Sequence, residues 1–318
     1  VANNLQVGNS GLFVSELIFG TALTVGTEIT HQRSVDELIH RAFDLSVTSF
    51  DTASNYGEGN AEVMLGKSLK HFERQDYVLM TKAGWPSDKD KNFQGMGRKN
   101  IIHSVEKSLK SLKMDYIDVL FSHRFVKEIS IEELVVTMNN LIKEGKILHW
   151  GTSQWPVEAL NECGEICEKL GLEKPIVEQP VYSFIARDID RNGVREYCEN
   201  NKIGIFGFSP LAQGILSGKY QNGIPRSSRI EKGNKLNYTK TTDILLQNKI
   251  KVQGFLDSCR LFGVNPISAS LQFSRRNGVI PIVGSTDVKQ IEENVQAARA
   301  DVPIEFWNAI IKDDKFNI

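Results

Sequence analysis

Four side chains suited to acid–base work stand at comparable places along the chain, each at or just after a short apolar run. Asp51 and Tyr56 lie in Phe50-Asp51-Thr52-Ala53-Ser54-Asn55-Tyr56-Gly57, Lys82 follows Thr81, and His123 stands in Ser122-His123-Arg124. Later runs close on Thr152-Ser153-Gln154 and Glu178-Gln179. A phenol ionises at about pH 10, too high for ready proton exchange at neutrality. A nearby ammonium favours phenolate and lowers that value. Lys82 supplies such a charge, Asp51 pairs with Lys82 and keeps it protonated, and His123 hydrogen-bonds or polarises the same substrate oxygen. Tyr56 would then protonate a carbonyl oxygen as its carbon receives a hydride. No side chain donates a hydride, so this chemistry requires a cofactor.

Singly, each residue has a plain structural reading. Asp51 could cap a helix, Lys82 could be a solvated stem, His123 a hydrogen-bonded structural histidine and Tyr56 a loop aromatic packed on Trp85. Their joint placement at successive strand exits selects the catalytic reading.

Short apolar runs rich in branched residues predict strands at 17–20, 48–52, 77–82, 117–122, 147–151, 176–179, 203–208 and 279–283. Several lack alternation, as in Ile203-Gly204-Ile205-Phe206, which suits parallel strands covered on both faces. Helical periodicity fills the gaps. Ile131, Leu134, Val135, Met138, Leu141 and Ile142 share one face, with Gly145 ending the run. Ile101, Ile102, Val105, Leu109 and Leu112 repeat the pattern, with Asn100 as the expected N-cap. Stretches 34–45 and 61–69 read as two more helices. The first seven strands recur every 30 to 40 residues, roughly one βαβ unit. Before the last strand comes a polar stretch, 211–242, then helical patterns around 244–262 and 266–276. Eight such units predict a closed (β/α)8 TIM barrel in an α/β chain, with extra helices near its C-terminal end. Residues 5–14 read as an N-terminal β-hairpin able to plug the bottom. With no linker or low-complexity segment, residues 1–318 are expected to form a single domain.

An open doubly wound sheet is the rival. Its dinucleotide-binding form needs G-x-G-x-x-G after the first strand, and Gly20-Thr21-Ala22-Leu23-Thr24-Val25-Gly26 is not that. Gly66-Lys67-Ser68 falls short of a P-loop, because the earlier required Gly is Ala61 and the triplet sits in a helical pattern. Gly207-Phe208-Ser209-Pro210-Leu211 lacks the second Gly of a nucleophile elbow.

The balance of 38 basic and 39 acidic residues argues against nucleic-acid binding. No apolar run reaches the ~18 residues of a membrane span, and residues 1–10 lack signal-peptide regions, so a cytoplasmic location is expected. The four cysteines form no disulfide framework; Cys163 and Cys167 read as buried thiols on one helix face. The six histidines are scattered without metal-binding spacing, and no metal is expected.

In a barrel of this kind function sits at the strand C-termini. Val283-Gly284-Ser285-Thr286-Asp287 leaves the last strand and opens a helix, a natural phosphate seat. Ser209-Pro210-Leu211-Ala212-Gln213-Gly214, Ser217-Gly218-Lys219-Tyr220 and Ser228-Arg229 lie after the seventh strand; taken alone, such Gly/Ser loops are ordinary turn chemistry.

Over essentially its whole length the sequence resembles an aldo-keto reductase. Phe50-Asp51-Thr52-Ala53…Tyr56, Thr81-Lys82 and His123 match that family's catalytic tetrad in order and context. Trp150-Gly151-Thr152-Ser153, Ser209-Pro210-Leu211-Ala212, Ser217-Gly218-Lys219-Tyr220 with Gly223-Ile224-Pro225, and Asp115-Tyr116-Ile117-Asp118-Val119 resemble the branch of voltage-gated potassium channel beta subunits and related microbial reductases.

The resemblance implies NADPH/NADP+ extended across the barrel mouth without a Rossmann fold. Gly20, Thr21 and Asp51 would approach the nicotinamide, Ser153 and Gln179 would bond its carboxamide, and Phe208 would stack nearby where the beta subunits carry Trp. Ser209, Leu211, Lys219 and Arg229 would line the phosphate path. Gly284, Thr286, Gln290, Glu293 and Asn294 would hold the adenosine end; many members place Arg at the position of Gln290, a role Arg229 could take over. His123 stands where the beta subunits tend to have Asn, which favours a working reductase over a regulatory channel subunit. Small carbonyl substrates are expected between Tyr56, His123 and the aromatics Trp85, Phe125 and Trp155. The resemblance also implies a homo-oligomer, a tetramer.

Overall fold

Eight short parallel strands pair edge to edge until the last meets the first. In the computed structural model, which describes residues 4–85, 90–93, 95–226, 228, 230–231 and 241–312, they close a barrel. After a two-stranded antiparallel hairpin, β1 (Asn4–Gln6) and β2 (Phe13–Ser15), the barrel strands are β3 (Ile18–Gly20), β4 (Ser49–Asp51), β5 (Val78–Ala83), β6 (Ile117–Ser122), β7 (Ile147–Thr152), β8 (Val177–Glu178), β9 (Gly204–Phe208) and β10 (Val279–Val283). Each pairs in parallel with its chain neighbours, and β10 pairs with β3, through Ile282 opposite Ile18, to close the ring. All eight strands expected from the apolar runs are present, and the architecture is the (β/α)8 TIM barrel.

The helices that follow the strands are α1 (Gln32–Asp44), α2 (Asn60–Leu69), α3 (Arg98–Leu112), α4 (Ile131–Lys143), α5 (Val157–Leu170) and α6 (Val194–Asn200). Next come α7 (Thr241–Gln247), α8 (Lys249–Leu261), α9 (Pro266–Arg276), α10 (Val288–Arg299) and α11 (Ile304–Lys312). Helix α4 shows the local logic. Ser130 caps it by accepting from Glu133 N–H, and Ile131, Leu134, Val135, Met138 and Leu141 are buried on the face the periodicity predicts. Each such side chain contributes about 1.5–3 kcal/mol on burial. Gly145 follows with φ +70°, the left-handed conformation in which chains leave a helix.

Two expectations need correction. Asn100 is not an N-cap: α3 begins at Arg98 after Gly97, and the buried Asn100 amide donates to the carbonyl of Gly95 at 2.8 Å and of Phe93 at 3.3 Å. It ties down the β5 exit loop instead, because a buried polar side chain takes the nearest orphan carbonyls. The helical pattern over 244–262 is also divided. Asn248 leaves helical geometry (φ −114°, ψ 16°) between α7 and α8, in keeping with the preference of Asn for caps over helix interiors.

Strand periodicity sorts the side chains into two layers. Ile18, Met80, Val119, Phe121, Val177, Phe206, Ile280 and Ile282 fill the barrel with Val7 and Val14 of the hairpin. The hairpin closes the N-terminal end as expected: Asn9 N–H donates to Lys202 O ahead of β9, and Ser15 N–H to Ser49 Oγ at the start of β4. Alternate residues such as Phe50, Leu79, Leu120 and Trp150 face the helices. Buried Glu16 accepts from Arg299 (2.5 Å) and pairs with Arg275 (3.1 Å), fastening α9 and α10 to the chain entering β3. The four cysteines are buried and unbridged, with Cys163 and Cys167 on the inner face of α5. Among the described residues no helix is long and apolar enough to cross a membrane.

Gly66, the residue that suggested a P-loop, lies within α2 against the end of α3. A Cβ there would sit 2.2 Å from Leu112 O, a contact with backbone that cannot move aside. Gly66→Ala is expected to destabilise the fold by about 3 kcal/mol in urea unfolding. Gly145→Ala, with open space around it but a left-handed backbone, should cost about 1 kcal/mol; equal losses at the two positions would show that the helices are not in close contact.

Candidate active site

The strand register that fills the barrel also aims its last inward residues at one mouth. Asp51 ends β4, Lys82 is two residues beyond the inward Met80 on β5, and His123 is two beyond the inward Phe121 on β6. Tyr56 comes from the tight turn Tyr56–Gly59 after β4, in which Gly57 and Glu58 take left-handed backbone. Asp51, Lys82 and His123 are each no more than 2% exposed; Tyr56 is half-buried beside them.

The Lys82 ammonium is the hub. Its Nζ donates to Asp51 Oδ1 at 2.8 Å, to Asp51 Oδ2 at 2.6 Å and to the Thr52 carbonyl at 3.0 Å, and lies 4.9 Å from the Tyr56 ring centroid. Burial works against this charge, but the carboxylate and the neighbouring phenol outweigh it and hold the Lys82 pKa above its ordinary value. For Tyr56 the balance differs from the sequence expectation. Burial raises its pKa and prevails over the charge of Lys82 and hydrogen bonding to it, so the phenol is held above its usual range. Lys82 lowers the cost of phenolate without reversing the sign, and Tyr56 is protonated at neutrality.

His123 packs edge-on to Tyr56, with centroids 5.9 Å apart, and against Trp85 at 4.6 Å. Burial, then the charges of Lys82 and Arg124, push its pKa well below the ordinary imidazole value. The ring is therefore uncharged near neutrality. Its Nδ1 is buried with no hydrogen-bond partner among the described residues.

The next strand exits extend the network. Gln179 Nε2 donates to Asp51 Oδ1 across the mouth at 2.9 Å, and Ser153 Oγ donates to Gln179 O at 3.0 Å. Thr21 backs Asp51 from β3, its N–H and hydroxyl both donating to Asp51 O. Gly20 has no room for a side chain, since a Cβ would stand 2.8 Å from Ile282 Cγ2. Phe208 packs half-buried on the barrel interior at the end of β9.

Beyond β9 the backbone turns through left-handed positions at Ser209, Ala212, Gln213 and Gly214. Half-buried Leu211 lies among them, packed against the core under α1 and α10. Lys219 lies along Gly214, where a Cβ would meet its Cε and Nζ at 2.6 Å. Gly284 is exposed at the β10 exit, and Asn294 Nδ2 donates to Ser285 Oγ. Asp287 caps α10 by accepting from Gln290 N–H, while Gln290 Oε1 accepts from Thr286 N–H at 3.1 Å. The oxygen of Gln290 therefore serves its own helix end. Glu293 is exposed and within ion-pair reach of Lys289. Arg229 lies outside the described residues.

Among the expected substrate aromatics, Trp85 borders His123 directly. Phe125 is half-buried and lies 5.3 Å from Trp155, centroid to centroid, while Trp155 is only 2% exposed and supports Phe125 from below. Sequence reasoning gives no role to Arg124, the neighbour of His123. Its Nη1 donates to His123 O and Ser153 Oγ, and its guanidinium stacks 5.0 Å over Trp85. A basic residue beside a candidate histidine at a strand exit was the available signal. Among the described residues no cluster of potential metal ligands occurs.

Donors, acceptors and a protonated phenol converging on an open barrel mouth suit reduction of a polarised double bond. Residues 16–314 match the aldo/keto reductase family. The chain is 35% identical over 301 residues to an Arabidopsis thaliana protein described as a probable voltage-gated potassium channel subunit beta, covering 92% of this chain and 90% of that one. A Schizosaccharomyces pombe protein described as a putative voltage-gated potassium channel subunit beta is 33% identical over 303 residues, covering 92% and 86%. L-glyceraldehyde 3-phosphate reductase of Escherichia coli is 31% identical over 305 residues, covering 91% and 86%. Fold, mouth and comparisons agree, and the chain belongs to the aldo/keto reductase family of oxidoreductases.

Proposed function

We propose that the chain is a cytoplasmic, NADPH-dependent reductase of small aldehydes and ketones, reversible as concentrations dictate, with Tyr56 as proton donor. The observation that carries this reading is the Lys82 ammonium, buried between the Asp51 carboxylate and the Tyr56 ring beside a neutral His123.

The residues around the mouth fit a nicotinamide cofactor. Ser153 and Gln179 offer a hydroxyl and an amide suited to a carboxamide, Gly20 and Thr21 stand beside Asp51 at the same mouth, and Phe208 offers a ring face. Ser209, Leu211 and Lys219, with the N-terminus of α10 at Gly284, Thr286 and Asn294, suit the phosphates and adenosine. Bound there, a reduced nicotinamide would supply the hydride that no side chain can.

The chain's own part is to manage the proton. His123 donates a hydrogen bond to the carbonyl oxygen, and its orphaned Nδ1 is a group that gains from a bound polar partner. As hydride reaches the carbon, the oxygen becomes more basic than a phenolate and takes the proton of Tyr56 Oη. The O–H bond of Tyr56 breaks as that of the alcohol forms. Lys82 stabilises the phenolate left behind, and Asp51 keeps Lys82 charged and in place. Trp85 and Phe125 wall the substrate, with Trp155 beneath them.

The relatives named as channel beta subunits motivate a second reading, a nicotinamide-sensing regulatory subunit, which the neutral and well-placed His123 disfavours. A homotetramer is proposed as the assembly under either reading. Assay of NADPH oxidation against small aldehydes, ketones and sugars separates the two readings; tight NADPH binding with negligible turnover throughout would favour the regulatory one.

Tyr56→Phe is expected to lower aldehyde reduction by about a hundredfold or more while leaving NADPH affinity within about twofold. Undiminished turnover in that variant would refute the role given to Tyr56. The raised Tyr56 pKa sets the pH dependence. At saturating cofactor, reduction uses the protonated phenol and should be flat from about pH 6 to 8, whereas alcohol oxidation uses the phenolate and should rise about tenfold per unit until the phenol titrates. A fall in oxidation rate over the same alkaline range would exclude Tyr56 as the base.

A further inference from the structure

Glu178 is a buried carboxylate at a strand exit that the reaction does not use. It is 1% exposed on β8, directly opposite Thr152 of β7 in the parallel register. Since Val177 fills the barrel interior, Glu178 points to the outer face of the wall, as does Thr152, two residues on from the outward Trp150. There the Thr152 hydroxyl donates to Glu178 Oε2 and the Trp155 N–H donates to Oε1 at 3.3 Å. The Gln154 backbone also hydrogen-bonds this carboxylate. One acid thus gathers the hydroxyl that ends β7 and two amides of the turn after it.

That turn needs gathering. Gln154 has φ +56°, a left-handed conformation that costs a residue with a Cβ about 1–2 kcal/mol. Successive amides turned toward one anion recoup such a cost. The residue before Gln154 is Ser153, whose Oγ faces the mouth between Arg124 Nη1 and the Gln179 carbonyl. The residue after Glu178 is Gln179, whose amide reaches Asp51. Glu178 therefore directly precedes Gln179 and bonds the residues on either side of Ser153, Thr152 and Gln154, yet lies outside the barrel. An aliphatic residue would fill the site without the cost of a buried carboxyl.

We propose that Glu178 is a positioning residue, clamping the turn after β7 from outside the barrel so that Ser153 and Gln179 present a fixed cradle to the nicotinamide carboxamide. This rests on the cofactor reading above. Burial pushes the Glu178 carboxyl up to about 7 against its hydrogen bonds and the charge of Arg124. The charged or titratable groups facing it are Arg124 from the β6 exit and the Cys198 thiol from α6; Thr152, Gln154 and Trp155 contribute neutral donors. The sign follows. Below about pH 7 the carboxyl gains a proton, one acceptor position becomes a donor, and the clamp loosens.

The test is NADPH affinity, titrated by fluorescence from pH 5.5 to 8.5 on the wild type, Glu178→Gln and Glu178→Leu, with melting temperatures and aldehyde kinetics alongside. Glu178→Gln keeps Oε1 for the amides and can donate from Nε2 to Thr152. It carries at every pH the donor that protonation gives the wild type, so it should bind about threefold or more weakly than wild type at pH 8, and the ratio of the two should approach one toward pH 6. That ratio cancels titration of the nucleotide's own phosphate. Glu178→Leu should weaken NADPH about tenfold or more at every pH, with a smaller change in kcat at saturating cofactor. If the leucine variant melts lower but binds NADPH like wild type, or if the glutamine-to-wild-type ratio is constant with pH, Glu178 is merely structural and the proposal falls. Should the leucine variant not fold, the glutamine pH profile decides alone. A wild type that neither binds nor oxidises NADPH would sink the cofactor reading itself, an outcome separate from normal turnover with indifferent Glu178 variants.

Discussion

A lysine ammonium buried at the end of a barrel strand is the constraint around which the rest of the mouth is arranged. Moving such an ion from water into protein costs several kcal/mol, and only close opposite charge with complete hydrogen bonding compensates. Lys82 meets that condition through both oxygens of Asp51 and the carbonyl of Thr52. Asp51 Oδ1 accepts a further bond from the Gln179 amide. The pair spans two adjacent strands, and Gln179 brings in a third from across the barrel. Few positional errors in β4, β5 or β8 would be tolerated without stranding a buried charge.

The barrel supplies the required accuracy through a simple rule. Residues two apart on a strand share a face, so the register that sends Met80, Val119 and Phe121 into the apolar interior also sends Lys82 and His123 inward at the open end. Packing of the barrel centre and placement of the polar mouth are one structural decision. The hairpin sealing the far end adds Val7 and Val14 to the same interior, leaving the C-terminal end as the accessible one. Outward residues of the same strands meet the helices, and two of them, Thr152 and Glu178, grip the turn that follows.

Electrostatics at the mouth follow from this layering. Lys82 and Arg124 bring positive charge against rings with little access to water, keeping His123 neutral. Tyr56 feels both opposing influences, burial and the ammonium, and burial prevails. A protonated phenol beside a fixed cation is arranged to give up a proton only when a stronger base forms next to it. In the proposed reaction, hydride arrival at a carbonyl creates that condition.

Much of this was legible in the residues alone. Apolar runs at even spacing marked every barrel strand, because a strand buried on both faces has nothing else to be made of. Asp51, Tyr56, Lys82 and His123 could be picked out since each is a reactive type at a strand exit. Balances of energy and local competition were not legible. Asn100 looked like a helix cap but is drawn inward by unpaired carbonyls of a loop whose path depends on α3 packing. Gln290 looked available to a ligand, yet its oxygen completes the cap of its own helix. Trp155 looked like a pocket wall and is a buried support. The direction of the Tyr56 shift required knowing how deeply the phenol sits as well as which cation neighbours it. Residue types and their periods determined which elements form and which side chains share a face, because those depend on local geometry. Distance, depth and the outcome of opposing charges were decided only when eight strands closed, because desolvation is a property of the surroundings and not of the residue.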